Sequence, residues 1–548
     1  MLRDGGVDRR NYELCAMAEL RGALRSGDVW VEGSRRYRSV DDELLPVGEI
    51  EAPRFAGCRL DATPDGYLGA AAARLERALS ETERLAAAGL LPDAAIRQGR
   101  LVVTPLRADT PDEAFRLHEL LYGLLPRVRI TELLEEVDRW TGFSRDFTHL
   151  RTGLPAGDRA SLLTVVLADG INLGLRRMAE ACQGVSVWQL ARVVDWHVRE
   201  DTYALATARL VEAQRQSPLA RLWGDGTRSS SDGQFFQAGG FGEAAATANA
   251  RYGQEPGVSF YSHISDQFGA FHTKVIAAAA HEAPHVLDGL LRHRTSLRIE
   301  EHHTDTGGFT DHVFGLCALL GFRFAPRIRD LPDKRLLVPG DRAPWPTLGP
   351  LIARKVRPEL IEAAWPELRR PVASTAAGGT APSHILKKLA AFPRQSRLAA
   401  GLREVGHIER TLFILDWLRS PELRRRVQSG LNKGEARNAL ARAVFFNRLG
   451  QVRDRAHENQ HHRACGLNLL IAAIVLWNSR YLELAVRLLR EHGHAVDDRL
   501  LARVWPLGWE HVNLTGDYAW TGTGPAAPDA MRELRLDQLP PARLPLAA

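Results

Sequence analysis

Residues 297–316 read LRIEEHHTDTGGFTDHVFGL. Leu297 and Ile299 alternate with polar neighbours, which predicts a strand, and FTDHVFGLCALLGF (309–322) then returns to helical spacing. The chain therefore passes from strand to helix across a bend that holds Asp305. Acids at such bends are the usual site residues of sheets flanked by helices. The stretch also crowds together Glu300, Glu301, His302, His303, Asp311 and His312. Adjacent strand residues point to opposite faces, so His302 and His303 do not form a zinc pair.

Working outward, VSFYSHISD (258–266) predicts a second strand, HTKVIAAAAHEAPHVLDGLLRH (272–293) a helix, and FRFAPRI (322–328) a short strand. Strands and helices interleaved in this way predict a mixed α/β core. Residues 1–220 read as a mostly helical region, from NYELCAMAELRGALRSG (11–27) to VWQLARVVDWHVREDTYALATARLVEAQRQ (187–216), with loops at 41–68 and 150–158. The apolar run LNLLIAAIVLW (467–477) has 11 residues. A bilayer span needs about 20, so the run predicts a buried helix. KGEARNALARAVFFNRL (433–449) predicts an amphipathic helix with Glu435 in its first turn, where a carboxylate suits the helix dipole.

The 548 residues are 45% hydrophobic and 25% charged, which excludes global disorder and gives room for two to four domains. The net charge of +6 is unevenly spread. Residues 331–434 hold 19 Lys and Arg against 9 Asp and Glu, a local +10. Charge so localised points to a phosphate backbone, the bland alternative being a solvated helical face. Cys15, Cys58, Cys182, Cys317 and Cys465 form no CxxC pair, which argues against a zinc ribbon and fits a reducing cytoplasm. The N-terminal stretch MLRDGGVDRRNYELC has no apolar core of a signal peptide.

Three acids stand out: Asp232 in SSSDGQFF, Asp305 in EEHHTDT and Glu435 in NKGEARN. All are carboxylates, the ligands that Mg²⁺ and Mn²⁺ prefer, and a basic protein with such acids suits phosphoryl transfer on nucleic acid. Each also has a plain reading: an Asp-Gly turn for Asp232, a helix cap for Asp305, a first-turn acid for Glu435. Asp169, Asp266, Asp330 and Glu458 are rivals of structural character.

Long blocks of the chain resemble the transposases of the Tn-three family. They include GVSFYSHISDQFGAFHTKVI (257–276), LRIEEHHTDTGGFTDHVFGLCALLGFRFAPRIRDL (297–331), LNKGEARNALARAVFFNRLGQVRDR (431–455), ENQHHRACGLNLLIAAIVLWNSRYLE (458–483) and PLGWEHVNLTGDYAW (506–520). The resemblance implies a ribonuclease-H-like catalytic core whose acidic triad would be Asp232, Asp305 and Glu435. The core would occupy 221–330 and 431–490, split by a basic, mainly helical insertion at 331–430, with a C-terminal segment at 491–548. It implies Mg²⁺ or Mn²⁺, as two ions, cleavage at transposon ends, and attack of the freed 3′-OH on target DNA in replicative transposition. Lys387, Lys388, Arg394, Arg397, Arg424, Arg425, Arg426 and Lys433 would neutralise DNA phosphates. A homodimer in the assembled complex and a bacterial cytoplasmic, nucleoid-associated location are further expectations. Family members are nearly twice as long, and the N-terminal part credited with reading the inverted repeats is expected to be missing. An inactive DNA-binding remnant and a repair nuclease of the same fold are the competing readings.

Overall fold

The computed structural model describes residues 8–539, apart from 27–28, 35–38, 40–41, 43, 51–57, 60, 62, 107–109, 239–255, 279, 329, 341–343, 392–396, 455, 521, 523–526 and 528–529. Two compact units emerge. One comprises 1–106, 281–292 and 304–427; the other comprises 107–280, 293–303 and 428–548.

The large sheet has five strands: β1 (Arg228–Gln237), β2 (Gly257–Ser265), β3 (Ala270–Ala277), β4 (Glu301–Thr304) and β5 (Arg323–Phe324). Their order is β3-β2-β1-β4-β5. β1 pairs antiparallel with β2 from Ser229↔Ser265 to Gln237↔Gly257, and β2 pairs antiparallel with β3. Every residue of β2 is buried. Val258, Phe260 and Ile264 keep the single parity of a strand, while Ser259, Tyr261 and His263 on the other face are buried as well.

Residues 272–277, expected to open a helix over 272–293, belong instead to β3. The Ala-rich tail at 277–280 imitates a helix, but Phe271, Thr273, Val275 and Ile276 suit a pleated surface, and pairing with β2 overrides local propensity. The expected strand over 297–304 is confined to 301–304.

In the second unit the sheet is backed by helices α1 (Arg159–Gly170), α2 (Glu200–Gln216) and α4 (His457–Glu491). The α4 helix packs on α1, α2 and β3 and supplies Leu467, Leu470, Ile471, Ile474 and Trp477 to the core. The 11-residue run is thus part of a helix of 35 residues. Among the described residues this is the one helix long and apolar enough to cross a membrane, and 83% of its apolar window is buried inside the protein.

Between β1 and α4 in the chain lies helix α3 (Pro421–Val444). Ser420 opens it, its hydroxyl accepting from the Leu423 amide at 3.1 Å. Glu435 therefore sits deep in a 24-residue helix, not in a first turn, so the helix-dipole argument for it fails.

The first unit is mainly helical, built on Asp65–Ala87, Asp311–Leu319, Pro358–Ala376 and Arg397–Arg419. Glu404, 1% exposed, is gripped there by Arg354 at 2.6 and 2.8 Å and by the Arg357 amide at 2.8 Å. All five cysteines are free thiols.

Candidate metal centre

Asp232 lies in the middle of β1, where the sequence alone read as a turn. Its Oδ1 accepts from the Gly233 amide at 2.9 Å, and its Oδ2 accepts from the Asn438 side-chain amide at 2.8 Å. Asn438 is on α3, one turn beyond Glu435. Glycine allows this helix to reach the strand. A Cβ on Gly430 would come within 2.3 Å of the His303 ring, and the Gly430 carbonyl accepts from Ser230 Oγ at 2.8 Å. One turn later, a Cβ on Gly434 would lie 3.8 Å from the Asp232 Cβ, ordinary contact distance. Glu435 follows directly and is exposed.

Behind Asp232 the helix buries Arg437. Its guanidinium reaches Asn438 Oδ1 at 3.1 Å and Asn468 Oδ1 at 3.3 Å. Burial pulls its pKa down to about 10, while the nearby charge of Asp232 pulls the other way. The two histidines of β4 face opposite sides, as expected. His302 bonds Ser229 and Ser231 of β1 at 2.7 and 2.8 Å, and His303 bonds Glu301 at 2.9 Å. Burial drives the His302 pKa well below the usual range. Neither histidine belongs to a metal-capable group among the described residues.

Asp305 follows the end of β4, two residues past His303, and its Oδ1 accepts from the Gly307 amide at 2.9 Å. Glu282 comes close as well: a Cβ on Gly307 would lie 3.4 Å from Asp305 Oδ1 and 3.8 Å from Glu282 Oε2. Of the three acids singled out from the sequence, Asp232 and Glu435 belong to the second unit and Asp305 to the first. Glu282, beside Asp305, is a further acid of the first unit. No sequence signal marked Glu282; it lies in HEAP (281–284), after an alanine run, and only the fold reveals it.

The basic residues fare unevenly. Arg424 is 4% exposed and donates to the Pro92 carbonyl at 2.6 Å and the Asp93 carbonyl at 3.4 Å. It fastens chain segments and faces no solvent from which DNA could approach. Lys433 turns inward as well, donating to the Trp223 and Asp266 carbonyls and lying 4.6 Å from the Phe268 ring centroid. Burial lowers its pKa to about 8. Lys387 and Arg425 are exposed, Lys388 and Arg426 half-buried, and Arg397 meets Glu367 at 3.4 Å. Arg394 lies outside the described residues.

Carboxylates held in this way are of the ligand type that hard divalent cations take. The chain belongs to the family described as the Tn3 transposase DDE domain, whose pattern matches residues 132–518. It is 52% identical over 547 residues to the transposase for transposon Tn3926 of Escherichia coli, covering 99% of this chain and 55% of that protein. It is 53% identical over 538 residues to the transposase for transposon Tn501 of Pseudomonas aeruginosa, covering 98% of this chain and 54% of that protein. Against the transposase for transposon gamma-delta of Escherichia coli strain K12, identity is 32% over 529 residues, or 94% and 53% of the two chains. The chain thus spans about half the length of the curated relatives it matches.

Proposed function

We propose that this chain is the catalytic half of a DNA transposase that cuts phosphodiester bonds at transposon ends and joins the freed 3′-OH to target DNA. The observation that carries the reading is the match of residues 132–518 to this family, in a chain whose Asp232 carboxylate is fixed by the Gly233 and Asn438 amides and whose Asp305 carboxylate is fixed by the Gly307 amide. The large sheet and α3 would form the ribonuclease-H-like core, over 221–330 and 431–490, with 331–430 as its insertion.

Half-buried carboxylates fit Mg²⁺ or Mn²⁺, which take oxygen ligands and keep some of their water. Such an ion, when bound, supplies positive charge to the attacking and leaving oxygens of the phosphodiester. The chain's own part is placement. Asn438 and the Gly233 amide fix the Asp232 carboxylate, and the Gly307 amide fixes that of Asp305. Asp232, Asp305 and Glu435 would form the ligand set. Glu282 is a second candidate for the third acid, because its Oε2 and Asp305 Oδ1 border the same glycine, Gly307. Exposed Lys387 and Arg425 would contact the phosphates of transposon-end and target DNA. The assembled complex would be a homodimer, working in the bacterial cytoplasm.

Purified chain, Mg²⁺ or Mn²⁺, target DNA and a labelled transposon end cut to a free 3′-OH should give joined product. Asp232→Asn and Asp305→Asn should give none. Comparing Glu435→Gln with Glu282→Gln decides the third ligand. Salt-sensitive DNA binding with no joining by the wild type would favour the inactive-remnant reading instead.

A further inference from the structure

Away from the acids, the second unit carries a cleft of about 610 Å³. Four arginines line it: Arg176, Arg177, Arg448 and Arg463. Arg463 is already spent, with Nη1 on Asp169 Oδ1 at 2.6 Å and Nε on Asp454 Oδ2 at 3.1 Å. That pairing uses both aspartates of the cleft and leaves Glu180 to face the other three cations. Arg176 and Arg177 are exposed and make no ion pair among the described residues. Arg448 donates Nη2 to the Leu173 carbonyl at 3.1 Å. Burial lowers its pKa first, and the repulsion of Arg463, Arg453 and Arg177 adds to this against the pull of Asp454. The wall of the cleft is therefore under-neutralised and suits an anion.

The backbone beside it is unusual. Arg448 (φ 55, ψ 29) and Leu449 (φ 57, ψ 31) are consecutive left-handed residues, neither of them glycine. The turn is braced on both flanks. Asn447 Nδ2 donates to the Ile171 carbonyl at 2.9 Å, and Asn172 Nδ2 donates to the Asn447 and Gln451 carbonyls at 3.1 and 2.9 Å. The Val452 amide donates to the Gln237 carbonyl of β1 at 2.8 Å. This bracing holds Leu449 outward, 94% exposed. An apolar prong flanked by cations matches duplex DNA, which offers phosphates beside a base step that an apolar side chain can enter. A free phosphate would give the leucine no partner.

We propose that Arg176, Arg177 and Arg448 seat the phosphate backbone of duplex DNA, and that Leu449 enters the base stack beside them. The proposal rests on the reading that the chain acts on DNA, and it adds a contact supplied neither by the acids nor by the basic segment 331–430.

The test uses the full chain and a labelled duplex of about 30 base pairs carrying 2-aminopurine, followed by anisotropy across a salt series. Arg176→Glu with Arg177→Glu should weaken binding about 10- to 100-fold and lower the salt slope by about two. Arg487→Glu, exposed on α4, should stay within about twofold of wild type. Wild type should brighten the 2-aminopurine as a base unstacks; Leu449→Ser should bind with the same salt slope and lose that signal. Inorganic phosphate at matched ionic strength should not displace the duplex. Unchanged binding by the arginine pair, unstacking retained by Leu449→Ser, or displacement by inorganic phosphate overturns the proposal. Wild type that binds no duplex sinks the transposase reading itself, whereas wild type that binds with unaffected variants sinks only this contact.

Discussion

Asp169 and Asp232 are both followed by glycine, in LADG and SSDG, and in the sequence they look like the same kind of residue. The fold uses them in opposite ways. Asp169 is 6% exposed and gives Oδ1 to Arg463 at 2.6 Å and Oδ2 to the Tyr203 hydroxyl at 2.8 Å. Asp232 is half-buried and accepts from two neutral amides. An acid whose oxygens are spent on a cation is structural. One held by neutral amides is the kind that can serve a ligand.

The sharpest way to break this contrast is to neutralise each aspartate. Asp232→Asn should lower joining by about a thousandfold or more, about 4 kcal/mol of barrier, with little change in unfolding midpoint. Asp169→Asn should do the reverse. If both variants lose activity and fold equally, the contrast is wrong. Next in size, Arg463→Ala should cost about 3–5 kcal/mol in urea unfolding, because it leaves Asp169 buried without its cation.

Glu404 extends the comparison to the other unit. Burial pushes its pKa up, but Arg354, His407 and the Arg357 amide outweigh that and hold it down to about 2. A depressed acid stabilises the fold above its unfolded pKa, near 4.3, and that contribution fades as pH falls towards 2. Unfolding midpoints should therefore drop between about pH 5 and 2, and Glu404→Gln should remove roughly 2 kcal/mol of that slope. The smallest effect concerns the helix at the site. Gly434→Ala should be tolerated or stabilise by about 0.5–1 kcal/mol, since its Cβ meets ordinary contacts, whereas Gly430→Ala should destabilise through the His303 ring. Thermal melting of the two variants checks this.

Much of this was legible because local and tertiary signals agree. The strand at 258–265 and the helix at 311–319 follow from periodicity, and the buried α4 from an apolar run too short for a bilayer. The strand at 270–277 was not legible, because its Ala-rich tail favours a helix until β2 pairs with it. The start of α3 was hidden by RRR at 424–426, although Ser420-Pro421 is an N-terminal signal. Asp232 and Asp305 stand out by their motifs, whereas nothing in the sequence marks Glu282. Lys433 and Arg424 show the limit of counting charge: composition marks a basic stretch but not which cations the fold turns inward.

The buried α4 also sets a clock. Its partners α1 and α2 leave the ribosome first, and the end of α4 follows the end of α2 by 275 residues. At about 5–20 residues per second the core of the second unit waits on the order of ten to fifty seconds for its central rod. During that interval the apolar faces of α1 and α2 stand uncovered, and the newborn chain has its greatest need of a chaperone.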